Sequence, residues 1–282
     1  MTVRLAVTHT TAYRYDGPVT TSFNEARLEP RSDRHQTVLS WGLDVVPAVR
    51  VARHVDYWGT TVHHFDLQTP HTELSVVAKT LVETGVTRAE PGDVTWDQLG
   101  SEDIRDRFYE LLAPSAVVHI DGLIGDTAAE IRAASASPAE AAEVAVGWVN
   151  DQLEYEQGFT GVATTATEVL AAGRGVCQDF AHTALALLRA MGIPSWYVSG
   201  YLHPHREPEI GRAVVGESHA WVAAWTGSVW PLDPTSLAPV HDRHVRVAAG
   251  REYSDVAPFR GIFAGGGTGQ HLDVAVEVTR RA

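Results

Sequence analysis

Three residues of this chain have types and surroundings suited to covalent chemistry at a carbonyl. Cys177 is the one cysteine among 282 residues, and it closes the stretch Gly173-Arg174-Gly175-Val176-Cys177, where a turn passes into a helix. Gly173 and Gly175 permit a sharp bend and leave open space beside the sulfur. A thiol at a helix start faces unpaired N–H groups and the positive end of the dipole, and both favour thiolate over thiol. A single cysteine is more commonly a small buried hydrophobe. A nucleophilic role therefore requires an imidazole to take the proton and a third group to orient that imidazole.

Fourteen histidines make coincidence easy, so geometry has to select among them. His182 shares the helix of Cys177 but lies about 140° around its axis, which makes it a packed or hydrogen-bonded helix histidine. His219 is better placed, on the strand Glu217-Ser218-His219-Ala220-Trp221, with Asp233 ending the next run, Val229-Trp230-Pro231-Leu232-Asp233. A three-residue hairpin loop of Trp225-Thr226-Gly227 puts Gly227 at the left-handed position such loops favour. That loop pairs Ala224 with Ser228 and, further along both strands, His219 with Asp233, their Cβ atoms roughly 4.5–5.5 Å apart. A two-residue loop would put the pair on opposite faces. Singly, His219 reads as a satisfied sheet histidine, and Asp233-Pro234-Thr235 as a turn that ends a strand. Together with Cys177, in the order Cys, His, Asp, they make a nucleophile, a base and an orienting carboxylate.

The elements that must position them follow from periodicity. From Gln178, the residues Phe180, Ala184, Leu187, Leu188 and Met191 recur at helical spacing, and Gly192 and Pro194 stop the helix. Strands are expected over Ser195 to Leu202, Glu217 to Ala224 and Ser228 to Asp233, with an exposed polar loop from His203 to Gly216. Upstream, Ser101 can cap a helix that opens with Glu102 and Asp103, and a second helix covers Thr127 to Ala134. Ser137-Pro138-Ala139-Glu140 is a capping box with proline at the first helical position, for a helix reaching about Leu153. Thr165 and Glu168 repeat the box before a short helix that ends at Gly173.

Residues Thr2 to Val94 alternate as half-buried strands, punctuated by turn signals such as Asp16-Gly17-Pro18. The stretch from Pro239 to Gly269 reads as irregular, with a flexible glycine-rich run from Ala264 to Gly269, and His271 to Thr279 alternates once more. The expected fold class is α+β: an N-terminal antiparallel β domain over residues 1–95 and a helical-plus-sheet domain over 96–282. The last strand, near 271–279, can pack on either.

Composition is that of a globular chain, 44% hydrophobic and 20% charged. One cysteine excludes an intrachain disulfide, and no apolar run reaches membrane-spanning length or forms a signal core, so a cytoplasmic location is expected. A formal charge of −13 makes nucleic acid and anionic membrane poor partners. His203-Pro204-His205 and His63-His64 lack a nearby ligand set for zinc, no acidic loop has a calcium-site pattern, and Gly265 to Gly269 lacks the Lys-Ser/Thr ending of a phosphate loop. No metal or cofactor is expected.

The blocks GRGVCQDFAH, GIPSWYVSGYL, SHAWVAAW and VWPLDPTS, in this order, closely resemble the bacterial transglutaminase-like superfamily of papain-type fold. Glu25-Ala26-Arg27-Leu28-Glu29-Pro30-Arg31 resembles the β domain preceding that core in one bacterial branch, and Gly250 to Gly261 resembles that branch's C-terminal motif. The resemblance implies Cys177 as nucleophile, His219 as general base and acid, and Asp233 as the orienting carboxylate. It implies acyl transfer from a peptide or isopeptide amide through a thioester, by a peptidase or amidase, with protein cross-linking or a non-catalytic binding module as alternatives. One oxyanion donor is then the backbone N–H of Cys177; Tyr155 and Trp148 are open as the second, each also readable as a core aromatic. Association of this branch with ATP-grasp-type ligases suggests such a system as partner, by analogy alone.

Overall fold

In the computed structural model, which describes residues 2–85, 87–267 and 269–282 and leaves the side chain of Glu217 aside, the first strand runs unbroken from Val3 to Ala26 (β1). The turn expected at Asp16-Gly17-Pro18 is instead an irregularity within this strand. Its pairing shifts between Arg14 and Val19, and Gly17 and Pro18 exchange backbone hydrogen bonds with Gly266, so the chain advances rather than reverses. Strands β2 (Gln36–Val46), β3 (Ala52–Val55), β4 (Thr61–Leu67) and β5 (His71–Thr84) follow, all joined in antiparallel pairs.

Helices then take over. α1 (Trp96–Leu99), α2 (Glu102–Arg107) and α3 (Tyr109–Leu112) are short, and Ser101 holds the N-cap geometry of α2 without the side-chain hydrogen bond expected of it. α4 (Gly122–Ala134) begins earlier than expected because Asp121 caps it, accepting from Ile124 N at 2.9 Å. α5 (Pro138–Gln152) has half of its expected box: Ser137 accepts from Glu140 N, while the Glu140 carboxylate reaches back to Ala136 N. β6 (Glu154–Tyr155) pairs in parallel with β7 (Arg174–Gly175) around α6 (Ala166–Ala172), where the Thr165–Glu168 box is closed in both directions. α7 (Cys177–Ala190) is enclosed, with every residue from Asp179 to Arg189 buried.

The last third holds β8 (Ser195–Leu202), β9 (Ala213–Trp225), β10 (Val229–Leu232), β11 (His244–Gly250), α8 (Tyr253–Val256), β12 (Phe259–Gly265) and β13 (Gln270–Arg280). Three expectations change here. The polar loop is shorter, because Ala213 to Gly216 are strand, held by β13. The stretch read as irregular contains β11, α8 and β12. Of these, β11 is largely buried on both faces and shows no alternation, while β12 is exposed along nearly its whole length and lies on Val19 to Ala26 of β1. The glycine run is a packed turn within its described residues, Thr268 lying outside them. Gly265, Gly266 and Gly267 all have positive φ, and a Cβ on Gly265 would meet Pro18 O at 2.6 Å.

Among the described residues eleven strands form one sheet with the path β11-β8-β9-β13-β1-β4-β3. β13 pairs with β1 along Leu5 to Tyr15 and with the start of β9. β1 feeds two cores: Val3, Leu5 and Val7 pack with the helices and β8–β9, and Tyr15, Val19 and Ala26 pack with Phe65, Leu67 and Leu74. The architecture is α+β, with α7 laid on β8 and β9 and flanked by α4, α5 and α6.

On the β10 and β13 side of β9 an interval stays open. β13 pairs up to Gly216, β10 pairs from Val222, and His219 lies between them, paired among the described residues from the β8 side alone, opposite Gly200.

Candidate active site

Cys177 is delivered by a tight local construction. Gly173 ends α6 in the left-handed conformation, φ 68°, which a residue with a Cβ rarely adopts. Beyond β7, the N–H of Val176 donates to Asp179 Oδ2 at 2.7 Å, and Thr160 Oγ1 donates to the same oxygen at 2.5 Å. A Cβ at Gly175 would lie 2.7 Å from that carboxyl group, so the glycine makes room for Asp179 rather than, as expected, for the sulfur. Burial pushes the Asp179 carboxyl up, against the two hydrogen bonds that favour its anion. The helix start is thus pinned by a carboxylate two residues past the thiol. Cys177 itself is half-buried and free. Behind it stands Tyr197, whose phenol is pushed well above its ordinary range by burial, with the sulfur of Cys177 adding to the effect.

His219 approaches from β9 with its side chain 10% exposed. Its Nε2 donates to Asp233 Oδ2 at 2.9 Å, and the sulfur of Cys177 is close enough to favour a proton on the ring. With Nε2 committed to the carboxylate, Nδ1 is the atom left for the thiol. Burial opposes a charge on this imidazole, but the hydrogen bond to Asp233 and the negative charge of Asp233 and of the nearby Cys177 outweigh it and lift its pKa to about 10. Asp233 is buried, which by itself would raise its pKa. The bonds from His219, His244 and Ser236 overcome that and hold the carboxyl well below the usual carboxylate range.

The hairpin that joins these two residues has a different register from the expected one. Its three-residue loop is Thr226-Gly227-Ser228, so Trp225 faces Val229 and Val222 faces Leu232. Asp233 therefore lies past the last rung and diagonal to His219 rather than directly opposite. Moving a three-residue loop by one position shifts the partner by two, which preserves the face, and the side chains bridge the diagonal.

Two further side chains, Ser236 and His244, hold Asp233. Asp233 Oδ1 accepts from Thr235 N at 2.9 Å and Ser236 N at 3.3 Å, and Oδ2 accepts from Ser236 Oγ at 2.6 Å. An aspartate followed at two and three positions by Thr and Ser is an Asx-turn pattern, so Ser236 was within reach of a sequence reading. His244 was not. It is on β11, in the stretch read as irregular, and its Nε2 lies 3.4 Å from Asp233 Oδ2. Of the open oxyanion candidates, Tyr155 packs its ring against Phe180 at 6.4 Å and Trp148 packs against the main core.

Other histidines find separate roles. His182 is fully buried and its Nε2 accepts from Tyr253 N. His63 pairs with Glu29 at 2.7 Å and stacks on Trp41. Among the described residues, one group has the spacing to hold a metal, namely His219, Asp233 and His244. Its two Nε2 atoms and Ser236 Oγ all converge on one carboxylate oxygen at hydrogen-bond distances, an arrangement that proton sharing explains in full.

Beside Asp233 lie two cavities. One of about 590 Å³ is walled by Trp58, Trp196, Trp221, Val240, His244 and Arg246, and one of about 260 Å³ reaches Asp233 itself beside Trp230 and Leu237. No helix of the described residues is long and apolar enough to cross a membrane.

The chain is similar to known proteins over nearly its whole length. Residues 5–83 match the bacterial transglutaminase-like N-terminal region, and residues 125–234 match the transglutaminase-like superfamily. An uncharacterised protein of Mycobacterium leprae is 46% identical over 279 residues, covering 99% of each chain. An uncharacterised protein of Mycobacterium tuberculosis is 32% identical over 310 residues, covering 98% of this chain and 93% of the other. A crystal structure from Cytophaga hutchinsonii, of a candidate cysteine protease, superposes with a TM-score of 0.76 at 20% identity over 99% of this chain and 98% of that one, and so shares the fold.

Proposed function

This chain belongs to the transglutaminase-like superfamily, and from that premise we propose that it is a cysteine-dependent enzyme that cleaves a peptide or isopeptide amide through a thioester. The observation that carries the reading is the position of His219, hydrogen-bonded to the buried carboxylate of Asp233 and close to the sulfur of Cys177. His219 Nδ1 already holds the proton shared with the thiol, and the Cys177 sulfur attacks the amide carbonyl, forming a C–S bond. As the C–N bond breaks, the imidazolium protonates the departing amine. His219 then takes a proton from water, which attacks the thioester, and the sulfur leaves with the proton returned to it. Asp233 remains ionised throughout; it fixes the ring and stabilises its positive charge.

An amine in place of that water would give transfer instead of hydrolysis through the same intermediate. Incubation with a peptide library and a dansylated primary amine, followed by mass spectrometry of peptides and of Cys177, separates the outcomes. Acylated Cys177 with shortened peptides supports hydrolysis, and acylated Cys177 with dansylated peptides supports transfer. If Cys177→Ala and His219→Ala turn over substrate as fast as the wild type, the reading is lost.

A further inference from the structure

A buried histidine is held by its hydrogen bonds, and those of His244 are unusual. Both the residue and its ring are almost fully enclosed, with a side-chain exposure of 1%. Its Nδ1 is buried without a hydrogen-bond partner, and Asp233 Oδ2 is the one acceptor its Nε2 meets among the described residues. Its other contacts are aromatic: an edge-on approach to Trp221, ring centres 5.2 Å apart, and His219 at 6.1 Å. A histidine kept for packing alone would leave two nitrogens unsatisfied in the interior, at a cost that a phenylalanine or leucine would avoid. The contact that repays this burial is the one with Asp233.

That contact closes a ring of donors around a single carboxylate. Oδ1 takes two backbone N–H groups; Oδ2 takes His219, Ser236 and His244. All the donors except the two imidazoles come from the short turn after β10, which moves with Asp233. His219 comes from the neighbouring β9, and His244 arrives from β11, on the far side of β8. It therefore ties Oδ2 to a part of the sheet that does not move with the turn.

The geometry points to His244 as a positioning residue for the reaction proposed above. Its neutral ring donates from Nε2 to Asp233 Oδ2 and holds that oxygen where His219 must meet it, so that Nδ1 of His219 stays aimed at the sulfur. The inference rests on the cysteine–histidine reading of the site. The charged and titratable groups that face His244 are Asp233, His219 and Arg243, with Arg246, His241 and Asp33 around the adjoining cavity. Of the two imidazoles on the carboxylate, His219 is the one that takes the charge.

The test uses the full chain and reads Cys177 directly, since no other cysteine contributes. The rate of alkylation by iodoacetamide is followed against pH for the wild type, His219→Ala, His244→Leu and His244→Gln. Wild type that reacts readily near pH 6, with the reaction lost in His219→Ala, establishes the pair itself; its absence overturns the proposed function, and this inference falls with it. Given the pair, His244→Leu should react about ten-fold more slowly near pH 6, the rate equivalent of one ordinary hydrogen bond. His244→Gln, which keeps a donor, should recover most of the loss. A His244→Leu profile superposable on the wild type overturns the assignment, as does a glutamine variant no better than the leucine one. If the leucine variant does not fold, ¹⁵N NMR of the wild type decides. A protonated Nε2 on His244 that shifts in Asp233→Asn supports the assignment, and a protonated Nδ1 refutes it.

Discussion

His9, near the middle of the first half of β1, is hydrogen-bonded through Nδ1 to Tyr201 Oη on β8 at 3.1 Å, although 192 residues separate them. Its Nε2 meets Thr11 Oγ1 at 3.2 Å, so both ring nitrogens are satisfied inside the protein. Both side chains are buried, at the seam where the opening strand meets the strands of the site. Tyr201→Phe removes one partner and leaves the other stranded. It should lower the unfolding free energy by about 1–3 kcal/mol, read from urea denaturation, with little change in the reactivity of Cys177.

Acid should destabilise the fold through two buried histidines. Burial lowers the pKa of His9 to about 4 and that of His182 to about 3, from an unfolded value of 6.5. Each pKa is depressed, so the unfolded chain binds the proton first. The stability these residues share is present above about pH 6.5 and lost as pH falls toward 4 and then 3. His219 acts in the opposite sense: raised to about 10, it contributes fully below about 6.5 and loses that contribution as pH climbs to about 10. Urea midpoints measured from pH 3 to 10 should peak near neutrality, and a His9→Gln variant should show a flatter acid limb.

Turnover and thiol reactivity should separate at high pH. Above about pH 10 His219 loses its proton, and with it the acid that protonates the leaving amine. The thiolate remains able to attack an alkylating agent. Amide cleavage should therefore fall through about pH 10 while iodoacetamide alkylation of Cys177 does not; parallel loss of both would assign the alkaline limb to unfolding.

Gly175→Ala places a Cβ 2.7 Å from the Asp179 carboxyl group, which is itself fixed by Val176 N and Thr160 Oγ1. Something at the start of α7 has to shift, and the thiol shifts with it. Turnover should drop by about 100-fold or more, since a displacement near 1 Å at a reacting atom has costs of that order. The helix as a whole, buried along its length, should keep its circular dichroism.

At the other end of α7, Arg189 donates to three backbone carbonyls, those of Ala113 and Ser195 at 3.1 Å and of Arg251 at 2.5 Å. The guanidinium is buried, which lowers its pKa to about 10, and it sits in the last turn of α7, where the dipole favours a cation. Arg189→Met keeps the volume and removes all three bonds. A loss of about 3 kcal/mol or more is expected, seen as a lower denaturation midpoint.

The parts of the fold that were legible in the sequence are those whose signal is local. α7 shows because Phe180, Ala184, Leu187 and Leu188 repeat along a face, and the Thr165–Glu168 box shows because both partners lie within one turn. The His219–Asp233 pairing was readable through parity alone, which is why a wrong register still led to the right face. β11 was not legible: its residues are buried on both sides of the sheet and include Ala248, Ala249 and Gly250, so nothing alternates. β12 was hidden for the opposite reason, being exposed almost throughout. Asp16-Gly17-Pro18 has the composition of a reversal, and only the remote Gly266, which bonds to it, turns it into a bulge. His244 belongs to this class, because its partner is set by sheet order rather than by spacing.

The pairing of β1 with β13 joins Leu5 to Arg280 and Tyr15 to Gln270. During synthesis the first of these strands leaves the ribosome while the second is still unwritten, and one whole edge of it waits uncovered. The start of β9, the strand that carries His219, waits for the same late segment. Closure of the sheet therefore waits on residues 270–280, and a nascent chain halted before about residue 270 holds its cysteine in an unfinished frame.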